Sequence, residues 1–260
     1  MKKLETILIE KEDGIGKIIL NRPEKKNAIN FEMFGEIGEA ARIVSDDSEI
    51  KVVIVTGAGS VFSAGIDFAA MGALGSFSSQ SFRDMLRKFQ VGWSLLENIE
   101  KPVIAAINGA AIGGGLEIAL CCDIRIAAEN AKMGIPEVCL GIVPDLGGAQ
   151  RLPRIIGLGR AKELIFTGRL IDAAEAERIG LVNKVVPAEK LMESAIEMAN
   201  EIKDNGLIAV GLAKKIANKS LEADLETVFE YTVLAQDICI RTEDILKLFT
   251  KYMEKKSRKK

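Results

Sequence analysis

Two hydrophobic rhythms alternate along the chain. Lys51–Thr56 (KVVIVT) and Val103–Ile107 are short runs of almost unbroken apolar residues, the pattern of strands buried on both faces. Ser81–Glu100 places Phe82, Met85, Leu86, Phe89, Trp93 and Leu96 at intervals of three and four, which predicts a long amphipathic helix. The same reading predicts a hairpin from Thr6–Glu10 and Gly16–Leu20 with Asp13-Gly14 in the turn. It continues with a loop at Asn27–Asn30, a helix over Phe31–Ser45 capped by Asn30, a short helix over Gly113–Cys122 and a third buried strand at Asp123–Ala127. Strand, loop and helix in that repeating order predict a parallel sheet with crossover helices. Phe68–Ser81, rich in Gly and Ser, carries no clear period.

Beyond Gly147 the helical rhythm takes over. It predicts helices at Gly147–Ile156, Arg160–Phe166, Ala173–Ile179, Ala188–Lys203, Leu207–Leu221, Leu225–Ile240 and from Thr242 to Met253, with only Leu181–Val186 patterned as a strand. The expectation is an α/β core followed by a helical region that lies against a partner subunit.

Composition narrows the chemistry. The 260 residues carry 35 Lys plus Arg against 37 Asp plus Glu, a net charge of −2, and no histidine. A Ser-His-Asp triad, a Cys-His pair and an HExxH zinc site are therefore excluded. Proton transfer near neutral pH falls to carboxylates, Lys, Cys, Tyr or water, and a carboxylate so used needs a pKa tuned by its surroundings. The near-zero charge argues against a dedicated nucleic-acid binder. Cys121, Cys122, Cys139 and Cys239 form no C-x-x-C and read as buried reduced thiols. The N-terminal MKKLETILIEKEDG has no signal-peptide pattern. Val103–Cys122, the most apolar stretch, is too interrupted by Asn108, glycines and Glu117 to span a membrane. The basic tail Lys255–Lys260 reads first as a solvated terminus and second as an acidic-ligand or RNA contact.

Two glycine-bearing loops follow predicted strands: Ser60–Asp67 (SVFSAGID) and Asn108–Glu117 (NGAAIGGGLE). In a parallel sheet both leave the carboxyl ends of strands, where ligands bind. Amides at Gly113–Gly115, where a helix opens, are suited to an oxyanion hole, although tight helix-strand packing explains the glycines equally well. Three acids accompany these loops. Glu117 stands in the early turns of the helix, Glu137 interrupts the apolar MGIPEVCLGIVPD, and Asp145 ends that stretch. Locally, Glu117 reads as an electrostatic cap and Asp145 as the N-cap of the helix near Gly147. Together they are the one constellation suited to acid-base work.

FSAGID, the run from Lys101 to Gly157, FTGRLIDAAEAERIGLVNKVV and LNRPEKKNAIN resemble the enoyl-CoA hydratase/isomerase, or crotonase, superfamily, in order from about Leu20 to Val186. The resemblance implies a spiral core of ββα units in place of a plain doubly wound sheet, over residues 1–195. A helical trimerisation region over 196–260 is implied after it, in a homotrimer or dimer of trimers. It implies an acyl-CoA thioester ligand and no separate cofactor or metal; with the charge balance and the interrupted apolar stretch, the expectation is a cytoplasmic enzyme with no membrane partner and with nucleic acid disfavoured. It assigns the thioester oxygen to the amides of Ala64 and Gly114, the CoA moiety to the loop Ala64, Gly65, Ile66 and Asp67, with Lys25 or Lys26 near its phosphates, and catalysis to Glu117 and Glu137.

The resemblance leads to hydration of a trans-2-enoyl-CoA as the expected reaction. Asp145 departs from the hydratase pattern, which has a small residue there, and matches a third acid of dienoyl-CoA isomerases and of ring-epoxide isomerases. The dienoyl enzymes, however, usually place Asp where this chain has Glu117. A double-bond or related isomerase using Asp145 is thus the alternative, with an RNA-binding homologue as an alternative of another class.

Overall fold

The computed structural model describes residues 4–257. The predicted hairpin forms from β1 (Ile7–Glu12) and β2 (Ile15–Leu20), and Asp13 and Gly14 turn between them at φ of 49° and 78°. Helix α1 (Phe31–Asp46) starts where expected, with the Asn30 side chain accepting from the Met33 amide. β3 (Val52–Gly57) follows, then α2 (Phe68–Ala73) and α3 (Ser79–Asn98). α2 lies in the stretch without a period; six residues with two glycines nearby are too few to establish one. Next come β4 (Val103–Ile107), β5 (Ala111–Ile112), α4 (Gly114–Leu120), β6 (Ile124–Ala128) and β7 (Lys132–Gly134). α5 (Gly148–Ile156), α6 (Leu158–Thr167), β8 (Ile171–Asp172), α7 (Ala173–Arg178) and β9 (Lys184–Val186) complete the core, and α8 (Leu191–Lys203), α9 (Leu207–Lys219), α10 (Leu225–Ile240) and α11 (Asp244–Ser257) follow. The second half thus holds β8 in addition to the one strand read from sequence.

The main sheet runs β1-β2-β3-β4-β6-β9, parallel except for the opening hairpin. A second, smaller sheet, β5-β7-β8, is extended by single bridges Ile29 to Ile66 and Ser63 to Ala111. After β2, β3, β4 and β6 the chain therefore passes through a short extended segment in this second layer before its helix or next turn. That repetition is the spiral of ββα units.

Alternate strand residues serve opposite faces of the main sheet. Val53, Val55, Val103 and Ala105 join the large core under α1 and α3, whereas Val52, Ile54, Ile104 and Ala106 pack beneath Leu191, Ala195 and Ala199 of α8. α8 runs across position 195 and covers the sheet. No helix among the described residues is long and apolar enough to cross a membrane. Cys121 and Cys122 are buried, but Cys139 is exposed and Cys239 half-buried, which corrects the expectation of four buried thiols. The basic tail beyond Ser257 lies outside the described residues.

Candidate active site

The two glycine loops meet. Ser63 donates its amide to Ala110 and accepts from Ile112, and a Cβ on Gly115 would fall 2.5 Å from the Ser63 carbonyl. Gly65, at φ +92°, approaches Ile112 and Gly114 so closely that a Cβ there would stand 2.7 Å from the Ile112 oxygen and 3.8 Å from the Gly114 nitrogen. The Gly114 amide belongs to the first turn of α4, which the helix ladder leaves without an acceptor. The amide of Ala64 instead donates to the Lys26 carbonyl at 3.0 Å. Lys26 and Asn27 hold that carbonyl in place through a turn with φ of 52° at both residues. Asp67, at the end of the loop, pairs with Arg22 at 3.0 Å; the Ala69 amide first and this contact second hold its carboxyl below the usual range.

Glu117 rises from α4 into the protein and is 1% exposed. Its Oε1 accepts from the amides of Leu146 at 3.0 Å and Gly148 at 2.7 Å. Burial nevertheless dominates and pushes its pKa up to about 8, helped by the charges of Glu137 and Asp145 and opposed by the two amides. Glu137 opens a short 3-10 turn after Pro136 and packs against Gly113; a Cβ on that glycine would lie 2.6 Å from Oε1. Its Oε2 is buried without a hydrogen-bonding partner, and burial, with Asp145 adding to it, raises the pKa to about 7. An orphaned carboxylate oxygen in a folded interior calls for a functional account.

Asp145 is half-buried, and burial raises its pKa. It does not cap α5, as the local reading expected. Gly147 is the N-cap at φ 114°, because the Arg151 guanidinium fills the space a side chain there would need, 1.6 Å from an ideal Cβ.

The residues that hold the loop were not found from sequence. The Gln90 side chain donates to the Asp145 carbonyl at 2.7 Å. Arg151 donates to the Leu146 carbonyl and pairs with Glu97 at 2.7 Å. α3 and α5 thereby fix the segment whose amides grip Glu117. The run Leu146 to Arg151 (LGGAQR) holds these contacts, and its pattern predicts only a helix start.

A buried pair of carboxyls with raised pKa values beside a glycine-loop junction has the chemistry needed to move protons at a carbonyl group. The enoyl-CoA hydratase/isomerase family profile matches residues 10–259. A crotonyl-CoA hydratase of Syntrophomonas wolfei is 44% identical over 253 residues, 97% of this chain and 96% of that protein. A short-chain-enoyl-CoA hydratase of Clostridium acetobutylicum is 44% identical over 255 residues, 98% and 97% of the two chains. The crystal structure of an enoyl-CoA hydratase from Bacillus anthracis aligns at a TM-score of 0.90 and 40% identity, covering 96% of this chain and 97% of that one. The chain belongs to the enoyl-CoA hydratase/isomerase family.

Proposed function

We propose that this protein is a cytoplasmic enoyl-CoA hydratase that adds water reversibly to a trans-2-enoyl-CoA and gives the 3-hydroxyacyl-CoA. The observation that carries the reading is the Glu117/Glu137 pair: two buried carboxyls with raised pKa values, one gripped by loop amides and the other presenting an unpartnered oxygen. The amides of Gly114 and Ala64 receive the thioester oxygen, Ala64 exchanging its Lys26 acceptor for the substrate. Each donor to a developing enolate is worth on the order of 3 kcal/mol of barrier. Water held between the carboxyls attacks the β-carbon as Glu117 takes its proton, and Glu137 delivers a proton to the α-carbon. Proton exchange within the pair restores the starting state. The balance closes without a cofactor or metal. CoA runs along Ala64–Asp67, with Lys25 and Lys26, both exposed, beside its phosphates.

Purified protein is expected to bleach the enoyl-thioester absorbance of crotonyl-CoA, and Glu117→Gln and Glu137→Gln to lose that activity while remaining folded. Full activity in both variants overturns the proposal. Asp145, a third acid with a raised pKa at the same site, favours one second reading, isomerisation of a 3,5-dienoyl-CoA to the 2,4-dienoyl isomer. For assembly, we divide the chain into the spiral core, closed by α8, and a trimerisation region in the last helices. Exposed Phe229, Val233, Leu234 and Phe249 support that division, and light scattering of the purified chain tests it.

A further inference from the structure

An apolar cavity lies between α1 and α3, against the site. Asp145 and Ile66 border it, and Phe34, Phe82, Met85 and Phe89 form its walls. Ile66 is the link to the reacting centre: its side chain lies 3.6 Å from where a Cβ on Gly114 would stand. The cavity therefore lies beside the Gly114 turn, where the reading above places the acyl end of a bound thioester. Its free space is about 30 Å³, far below the several hundred Å³ of a pocket that encloses a drug-sized ligand.

The wall that α1 and α3 form is built to stay closed. The rings of Phe34 and Phe89 stack at 4.6 Å and 14°, and Phe34 also stacks on Trp93 at 5.8 Å. The Trp93 indole N–H donates to the Phe34 carbonyl at 3.3 Å, which ties the ring on α3 to the backbone of α1. One turn further along, Gly38 packs on Gly92; a Cβ on Gly38 would lie 2.9 Å from the Gly92 Cα. The two helices thus cross at backbone contact, Phe34 and Trp93 are buried in the core beneath, and moving one helix away from the other breaks both contacts.

We propose that the Phe34–Phe89 stack is the specificity-determining stop of the acyl pocket, restricting this protein to thioesters with short acyl chains of about four to six carbons. The inference deepens the acyl-CoA reading above and rests on it. Its test is binding of saturated acyl-CoAs, which needs no turnover. A pocket open to the tail tightens binding about fourfold for each methylene it buries. In the native protein the gain is expected to stop by six carbons across butyryl-, hexanoyl-, octanoyl- and decanoyl-CoA. Phe89→Ala, at a half-buried position, is expected to raise the octanoyl-to-butyryl affinity ratio at least tenfold. Met85→Ala opens the same wall by a smaller volume and serves if the first variant does not fold by circular dichroism. An unbroken fourfold rise to ten carbons in the native protein, or an unchanged ratio in the folded variants, overturns the stop. Crotonyl-CoA hydration, followed separately, tests the hydratase reading, so tight butyryl-CoA binding with no hydration sinks that reading and leaves the stop standing.

Discussion

The sheet core and the C-terminal helices follow the same hydrophobic code and dispose of it differently. In the core, β3 and β4 are buried along their whole length, with α1 and α3 on one face and α8 on the other. In α10 only Val228 and Ala235 are buried, while Leu225, Phe229, Val233 and Leu234 are each at least 60% exposed, and α11 adds Leu246 and Phe249. The core supplies its own dry interior, and it is this interior that raises the pKa values of Glu117 and Glu137. The last helices carry apolar surface that one copy of the chain does not cover. In the division proposed above, chemistry belongs to the core and assembly to the last helices, so each is expected to break without the other.

The largest separation is expected from Glu117→Gln. The amide oxygen still accepts from Leu146 and Gly148, so fold and assembly persist, while crotonyl-CoA hydration falls by about 10²- to 10⁴-fold for want of a base. Steady-state kinetics paired with size-exclusion chromatography reads both, and loss of assembly in this variant would break the division. The converse is Phe229→Glu with Leu234→Glu. It is expected to convert the oligomer to monomers at micromolar concentration, by light scattering, with the circular dichroism of the core unchanged. An oligomer that survives both charges refutes assembly through α10.

A smaller effect follows from the cost of burying the base. Glu117 has a folded pKa of about 8 against an ordinary 4.5, so between these values the folded protein holds a proton that the unfolded chain has released. Stability therefore falls as pH rises from 4.5 to 8, and Glu117→Gln escapes the loss. The variant is expected to match the parent near pH 4.5 and to exceed it by on the order of 4 kcal/mol at pH 8, roughly 8–16 °C in Tm. Calorimetric scans across that range check the sign; a variant less stable at pH 8 shows that the site does not strain the core.

The contrast between the halves also marks what the sequence could reveal. The long elements were legible because each carries its own period: β3, β4, α1, α3 and α10 lie within two residues of their predicted limits. β5, β7 and β8, two or three residues each, are too short to carry one, so the second sheet, and with it the spiral, came from family resemblance. At the site, Glu117, Glu137 and Asp145 stood out as acids in apolar surroundings. What holds them did not. The Leu146 and Gly148 amides reach Glu117 across 29 and 31 residues, and Gln90 reaches Asp145 across 55. Backbone donors and long-range contacts leave no periodic trace. Asp145 showed the opposite failure: N-cap chemistry was legible, but Arg151, folding back over Gly147, was not.

Asp145→Asn is expected to have the smallest effect on hydration and to discriminate most finely between two acids and three. Asp145 touches the reaction in the hydratase reading only through its charge, which raises the pKa of both Glu117 and Glu137. Replacing it with a neutral amide lowers both. The base is then deprotonated at lower pH, so the acid limb of kcat/KM for crotonyl-CoA moves to lower pH, and the rate on the plateau changes by less than about tenfold, because Asp145 transfers no proton in this reading. If Asp145 instead carries a proton between carbons of a dienoyl thioester, the same variant loses about 10²- to 10⁴-fold of 3,5- to 2,4-dienoyl isomerisation while the crotonyl-CoA profile keeps its form. One substitution assayed on two thioesters over pH 5 to 9 thus decides whether the third acid tunes the pair or joins it.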